Sequence, residues 1–133
     1  MKFLDANVFI LAAFDKGPRG ERARGLLAEV GPPRPHATSA LVLDEVFWAL
    51  RKLGGRSAAL RESKRLATIP GLRLLPVSSR EWATALRLME AHDKLKPRDA
   101  LHAACTLEGG LSVIVSVDAD FDGIPGVKRV GLD

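Results

Sequence analysis

Short apolar runs alternate along this chain with longer stretches of helical periodicity. Lys2 to Asp5 reads as a short, central strand through Phe3 and Leu4. Asn7 to Phe14 is apolar and helical in pattern, with Asn7 as a candidate N-cap. Lys16-Gly17-Pro18 breaks it. Pro18 suits the first turn of a second helix, ending near Gly31, with Leu26, Leu27 and Val30 inward and Arg19, Arg22 and Arg24 on another side. After the loop Gly31–Pro35, His36 to Thr38 reads as a second strand. Ser39 then caps a helix from Ala40 to about Leu53, whose expected buried stripe is Val42, Leu43, Val46, Phe47, Leu50 and Leu53. Gly54-Gly55 ends it. Ser57 to Thr68 is a further helix. Leu72 to Val77 is a strand candidate that Pro76 confines to an edge or a strand end. Ser78 and Glu81 form a capping box for a helix expected to bury Trp82, Leu86 and Met89. Pro97 opens a strongly apolar helix that closes at Gly109-Gly110. Val113–Val115 suits a strand buried on both faces, and Val127 to Val130 a last short one.

Strands alternating with helices, and few hairpin signals, predict a three-layer α/β/α sandwich with a mainly parallel sheet. Two of its strands run directly into acids. Phe3-Leu4 leads into Asp5, and Val113–Val115 leads through Ser116 into Asp118, Asp120 and Asp122. In an open α/β sheet, ligands bind beyond the carboxyl ends of the strands.

Length and composition narrow the reading. At 133 residues the chain is expected to form one domain with a real core. The longest apolar run, Val8–Phe14, falls far short of the roughly 20 residues of a membrane helix, and Met1–Leu4 gives no signal-peptide pattern. A lone cysteine, Cys105, excludes an intrachain disulfide and fits a cytoplasmic setting. The net charge of +4 and pI of about 9.6 point only weakly to an anionic partner. Beside an acidic pocket they gain weight, because a basic surface holds phosphates while the acids hold a cation.

Several residues carry two readings. Asp99 sits in the first turn of its helix, where an acid stabilises the dipole by about 0.3–1 kcal/mol with no further role. The hydrophobic run behind it buries that helix, which opens the second reading, a group at an interior site. Asp44 and Glu45 lie on opposite flanks of a buried stripe, and periodicity does not choose between them. Asn7 caps a helix or holds Asp5 or a water. Asp122 adds an acid or shapes the turn at Gly123. His102, one turn after Asp99, reads as a packed core histidine rather than a ligand or base. Cys105 reads as a small buried hydrophobe. Clustered carboxylates without matching cations favour Mg²⁺, with Mn²⁺ as a substitute. There is no zinc spacing, phosphate loop, dinucleotide fingerprint or nucleophile elbow. An EF-hand is excluded, since its glycine and terminal glutamate are missing after Asp118.

Four blocks now stand in order: Phe3-Leu4-Asp5-Ala6-Asn7, Ser39–Glu45, Pro97-Arg98-Asp99-Ala100-Leu101-His102-Ala103-Ala104, and Ile114–Phe121. With these spacings the chain resembles the PIN-domain family over essentially its whole length, most closely the VapC-type toxins of toxin–antitoxin pairs. The resemblance selects Glu45 over Asp44. It implies a metal-binding catalytic quartet of Asp5, Glu45, Asp99 and Asp118, with Asp122 as an additional acid and Asn7 and Ser116 as supporting polar groups. Ser116 stands where the family commonly has threonine.

The resemblance further implies a Mg²⁺-dependent endoribonuclease, a homodimer and an inhibitory antitoxin partner. Lys94, Lys96 and Arg98 flank Asp99 and are candidate RNA-phosphate contacts, with a plain solubilising role as the alternative. The competing functional reading is a PIN domain outside any toxin pair, acting in RNA processing or binding RNA or metal without cutting. A receiver-like phosphoacceptor is disfavoured, because Ala6 and Asn7 follow Asp5 where an acid pair is needed. The segment from Ser57 to His92 is expected to form the dimer interface. Leu60, Leu66, Trp82 and Leu86 there exceed what one small core absorbs.

Overall fold

The computed structural model describes residues 1–133. Its elements alternate as the pattern predicts: β1 (Phe3–Leu4), α1 (Ala6–Phe14), α2 (Pro18–Glu29), β2 (His36–Ser39), α3 (Ala40–Gly54), α4 (Arg56–Ala67), β3 (Leu72–Leu75), α5 (Ser79–Ala91), α6 (Pro97–Glu108), β4 (Val113–Val115) and β5 (Lys128–Val130). A short 3-10 turn, Ala119–Phe121, follows β4. The strands form one parallel sheet in the order β3-β2-β1-β4-β5. Right-handed crossovers with this order put α1 to α4 on one face and α5 and α6 on the other. The result is an α/β/α sandwich, with α1 packed on α2 and α3, α3 on α4, and α5 on α6.

Local chemistry explains the element boundaries. Ser39 Oγ accepts the Val42 N–H at 3.2 Å and starts α3. The Glu81 carboxylate accepts the Ser78 N–H at 2.8 Å, closing the capping box of α5. Pro18 and Pro97 occupy the first turns of α2 and α6, where a missing N–H costs nothing. Gly71, at φ 82°, turns the chain into β3, and a Cβ there would meet the Gly31 backbone at 2.3 Å. Its carbonyl accepts the His36 N–H at 3.0 Å, which begins the β2–β3 register.

Two expectations need correction. Asn7 does not cap α1: the cap is Asp5, whose carboxylate accepts the Ala6 N–H. The buried side of α5 is Glu81, Thr84 and Ala85, with Leu88 and Met89 half-buried, while Trp82 and Leu86 are 44% and 43% exposed. Small residues face α6 here because the two helices pack closely, and Thr84 Oγ1 donates to the Glu108 carboxylate of α6 at 2.6 Å.

The topology also fixes where a site belongs. From β1 the chain winds outward through β2 to β3, then returns to β4 on the other side of β1. The winding reverses between β1 and β4, and the crevice beyond their carboxyl ends is the binding position of a doubly wound sheet. No helix is long and apolar enough to cross a membrane.

Candidate active site

Asp5 occupies that crevice. Its N–H donates to the Val115 carbonyl at 3.1 Å, extending the β1–β4 ladder by one residue. Its side chain is almost fully buried and has four polar neighbours. Oδ1 accepts the Ala6 N–H at 2.8 Å. Oδ2 accepts from Ser116 Oγ at 2.7 Å and from Asn7 Nδ2 at 3.1 Å. His102 Nε2 stands 3.8 Å from Oδ1. Burial pushes the Asp5 carboxyl above the usual carboxylate range, against the hydrogen bond from Ser116 and the nearby His102 ring.

Ser116 ties the two strand ends together. Besides donating to Asp5, its hydroxyl accepts from Asn7 Nδ2 at 2.9 Å and from the Asp118 N–H at 3.0 Å. Asn7 Oδ1 accepts the Val117 N–H at 3.3 Å. Of the two roles open to Asn7 in the sequence, the structure therefore selects the one that holds Asp5. A threonine hydroxyl would offer the same donor and acceptor sites, so serine here keeps the hydrogen-bonding chemistry.

Glu45 enters from α3 and is half-buried, whereas its neighbour Asp44 is exposed. Glu45 Oε1 lies 2.6 Å from His102 Nε2 and 3.5 Å from Arg98 Nε. Asp99 comes from the first turn of α6. Asp118 precedes the 3-10 turn, and its Oδ1 accepts the Asp120 N–H at 2.9 Å. Phe121, fully buried, anchors that turn. Burial pushes the Asp99 carboxyl up to about 6, and the charges of Asp118, Asp5 and Asp120 push the same way, partly offset by His102.

Two ligand groups result, each with donor atoms within 4.8 Å of one another: Asp5, Glu45 and His102 in the deeper part, and Asp99, Asp118 and Asp120 nearer solvent. The donor set fits a divalent cation. It is nearly all oxygen, and burial, with the neighbouring carboxylates adding to it, pushes Asp99 up to about 6. Asp122 stands apart, paired with Arg129 through contacts of 2.8 and 3.1 Å. Asp120, given no role of its own in the sequence reading, is the acid that joins Asp99 and Asp118. The signal for it was the turn itself, an acid two residues after Asp118 and just before a buried aromatic. His102 was read as core packing. It is 1% exposed, yet one ring nitrogen is turned onto the acids.

Lys94, Lys96 and Arg98 are all exposed, and Arg98 Nε stands 3.5 Å from Glu45. Lys94 lines a cleft of about 420 Å³ together with His92, Asp120 and Ile124. The largest cavity, about 480 Å³ between α1, α2 and α4, has none of the clustered acids in its lining.

Comparison with known proteins agrees with this geometry. Among solved structures, the chain is similar to Mycobacterium tuberculosis VapC20, a toxin that cleaves the sarcin-ricin loop, with 23% identity and a TM-score of 0.74 over 96% of this chain and 98% of that one. It is similar to a chain of a Klebsiella pneumoniae toxin–antitoxin complex, with 22% identity and a TM-score of 0.72 over 96% of each. A chain of DNA-bound VapBC from Salmonella typhimurium matches at 19% identity and a TM-score of 0.73, over 100% of this chain and 99% of that one. At these identities the likeness is one of fold. No curated protein matches the chain by sequence. The PIN-domain family model matches residues 2–127, nearly the whole sandwich and all of the clustered acids, and the chain belongs to that family.

Proposed function

We propose that this chain is a Mg²⁺-dependent endoribonuclease, with Mn²⁺ as a working substitute, and that it is the toxin of a toxin–antitoxin pair. One domain spanning 1–133 would carry the activity in the cytoplasm. The observation that supports this reading best is the meeting of Asp5, Glu45, Asp99 and Asp118, drawn from four separate elements, in one crevice with few compensating cations.

Asp5, Glu45, Asp99 and Asp118 would hold the cation, and Asp120 adds a carboxylate on the open side. When bound, the cation supplies Lewis-acid polarisation of a phosphoryl oxygen and acidifies water. The chain's own residues do the positioning. Ser116 and Asn7 lock the Asp5 carboxylate in one orientation, and the turn at Phe121 fixes Asp118 beside Asp99. Lys94, Lys96 and Arg98 supply a positive rim for the RNA backbone. Hydrolysis with in-line attack at phosphorus, leaving a 5′-phosphate and a 3′-hydroxyl, is what the family resemblance implies.

An antitoxin partner is supported by neighbours that are toxin–antitoxin assemblies. A homodimer is supported by the exposed Trp82 and Leu86 on α5.

The test uses purified protein, a pool of structured RNAs, and Mg²⁺ or Mn²⁺. Wild type should cleave, a chelator should stop it, and Asp5→Asn should abolish cleavage while keeping the far-ultraviolet spectrum of the fold. Chelator-resistant cleavage, or full activity in Asp5→Asn, would sink the reading.

A further inference from the structure

Resting on the cation-dependent reading above, we propose that His102 is a positioning residue: it fixes Glu45 for cation binding through a hydrogen bond from Nε2 to Oε1. Three observations meet on this ring. It is 1% exposed, in the middle of α6 among the buried Ala100, Ala103, Ala104 and Cys105. Nε2 lies 2.6 Å from Glu45 Oε1 and 3.8 Å from Asp5 Oδ1. Nδ1 is buried with no hydrogen-bond partner.

The two ring nitrogens have different surroundings. Nε2 reaches the Glu45 carboxylate at 2.6 Å, while Nδ1 is enclosed with no polar partner. The ring is therefore held by its contact with Glu45 and by packing, and that one contact fixes where the carboxylate stands.

Packing alone does not account for the arrangement. A buried polar atom without a partner costs free energy, and a leucine or phenylalanine would fill the space beside Phe3 without that cost. The chain instead tolerates an orphan Nδ1 while keeping Nε2 on Glu45. The spacing fits the role, since α6 offers Asp99 from its first turn and His102 from the next. Glu45 is then gripped between a donor on its inner side and the Arg98 guanidinium, 3.5 Å away, on its outer side.

The experiment is a Mn²⁺ titration of four proteins, wild type, His102→Leu, Glu45→Gln and the double variant, with the melting temperature of each measured metal-free. His102→Leu should weaken Mn²⁺ binding roughly tenfold or more, as loss of an outer-shell partner does. Its melting temperature should stay near wild type. In the Glu45→Gln background, the same replacement should change Mn²⁺ affinity little, because the group it acts through is already altered. His102→Gln should recover most of the affinity, since its amide N–H reaches where Nε2 sits. His102→Asn should not, since its shorter amide falls near Nδ1.

An equal loss from His102→Leu in both backgrounds would make His102 a ligand or a packing residue and overturn the proposal. Wild-type affinity in His102→Leu would also overturn it. If the leucine variant fails to fold, equal affinities in the Gln and Asn variants overturn it instead. Mn²⁺ binding with the expected coupling, but no RNA cleavage by wild type, sinks the ribonuclease reading alone. RNA cleavage with additive losses sinks the His102 inference alone.

Discussion

Asn7 Nδ2 and Ser116 Oγ meet at 2.9 Å across 109 positions of sequence, and both also reach Asp5 Oδ2. This triangle joins the end of β1 to the end of β4 at the point where the sheet reverses its winding. It holds the carboxylate just past a short strand in one orientation.

Ser116→Ala should therefore weaken the site twice over. Asp5 loses its closest donor, and the Asp118 N–H loses its acceptor. A buried or half-buried group left unpaired costs about 1–3 kcal/mol, so the melting temperature should fall. Mn²⁺ affinity should fall roughly tenfold or more. Ser116→Thr keeps the hydroxyl and should stay near wild type in both. Calorimetric titration and thermal melts check this, and an alanine variant equal to wild type would contradict it.

Asp99 makes stability and cation binding oppose each other. Burial and its acidic neighbours raise its carboxyl from 3.8 to about 6 in the folded chain. Below pH 3.8 both states carry the proton. Between that point and about pH 6 the unfolded state has lost it and the folded state keeps it. Stability of the metal-free protein from this group thus falls as pH rises through the window and does not return above it. Asp99→Asn should raise the metal-free melting temperature at pH 7 and flatten its slope between pH 4 and 6. The same variant should lose most Mn²⁺ affinity. A melting temperature at pH 7 unchanged or lowered in Asp99→Asn would show that burial and the neighbouring acids do not disfavour the Asp99 carboxylate as described.

The sandwich was legible because apolar runs and capping residues are local signals: Ser39, Ser78, Pro18 and Pro97 all begin helices where the pattern puts them. Asp5 and Asp118 were legible as strand-end acids for the same reason. Glu45 was not separable from Asp44 by periodicity, because both flank the stripe of α3 and only the position of α6 exposes one and half-buries the other. His102 was missed because one-dimensional pattern reports how buried a residue is, not which way its nitrogens point. Asn7 was half-read, since a cap and a carboxylate clamp call for the same short amide.

Asp120 and Asp122 separate two kinds of acid in one loop. Asp120 groups with Asp99 and Asp118, so Asp120→Ala should reduce Mn²⁺ affinity measurably. Asp122 is paired with Arg129 in a contact at the protein surface, where solvent screens the attraction. Asp122→Ala should leave Mn²⁺ affinity near wild type and lower the melting temperature slightly. The order of the two effects is the readout. A larger Mn²⁺ loss in Asp122→Ala would restore Asp122 as the additional acid and remove Asp120.

The outer face of α5 is where the proposed two-fold contact is expected. Of the four residues expected to mark an interface over Ser57 to His92, Leu66 is only 2% exposed and belongs to the core. It faces inward because α4 packs on α3 and buries Ala59 and Leu66. Leu60 is 40% exposed, but Trp82 and Leu86, four positions apart, form one stripe on a single helix. Leu74 and Val77, at and just after the edge strand β3, are exposed too, and an open edge beside an apolar stripe is a surface that chains tend to cover. A two-fold pairing that buries Trp82 closes it with one self-complementary patch. Sedimentation at micromolar concentration should give twice the 14.3 kDa chain mass. Trp82→Ala should weaken the dimer by about 2 kcal/mol or more, as loss of a central tryptophan does, and Leu86→Glu should give monomer with an unchanged fold. A wild-type species at the single-chain mass would refute the dimer and leave Trp82 and Leu86 as an exposed patch with no second copy upon it.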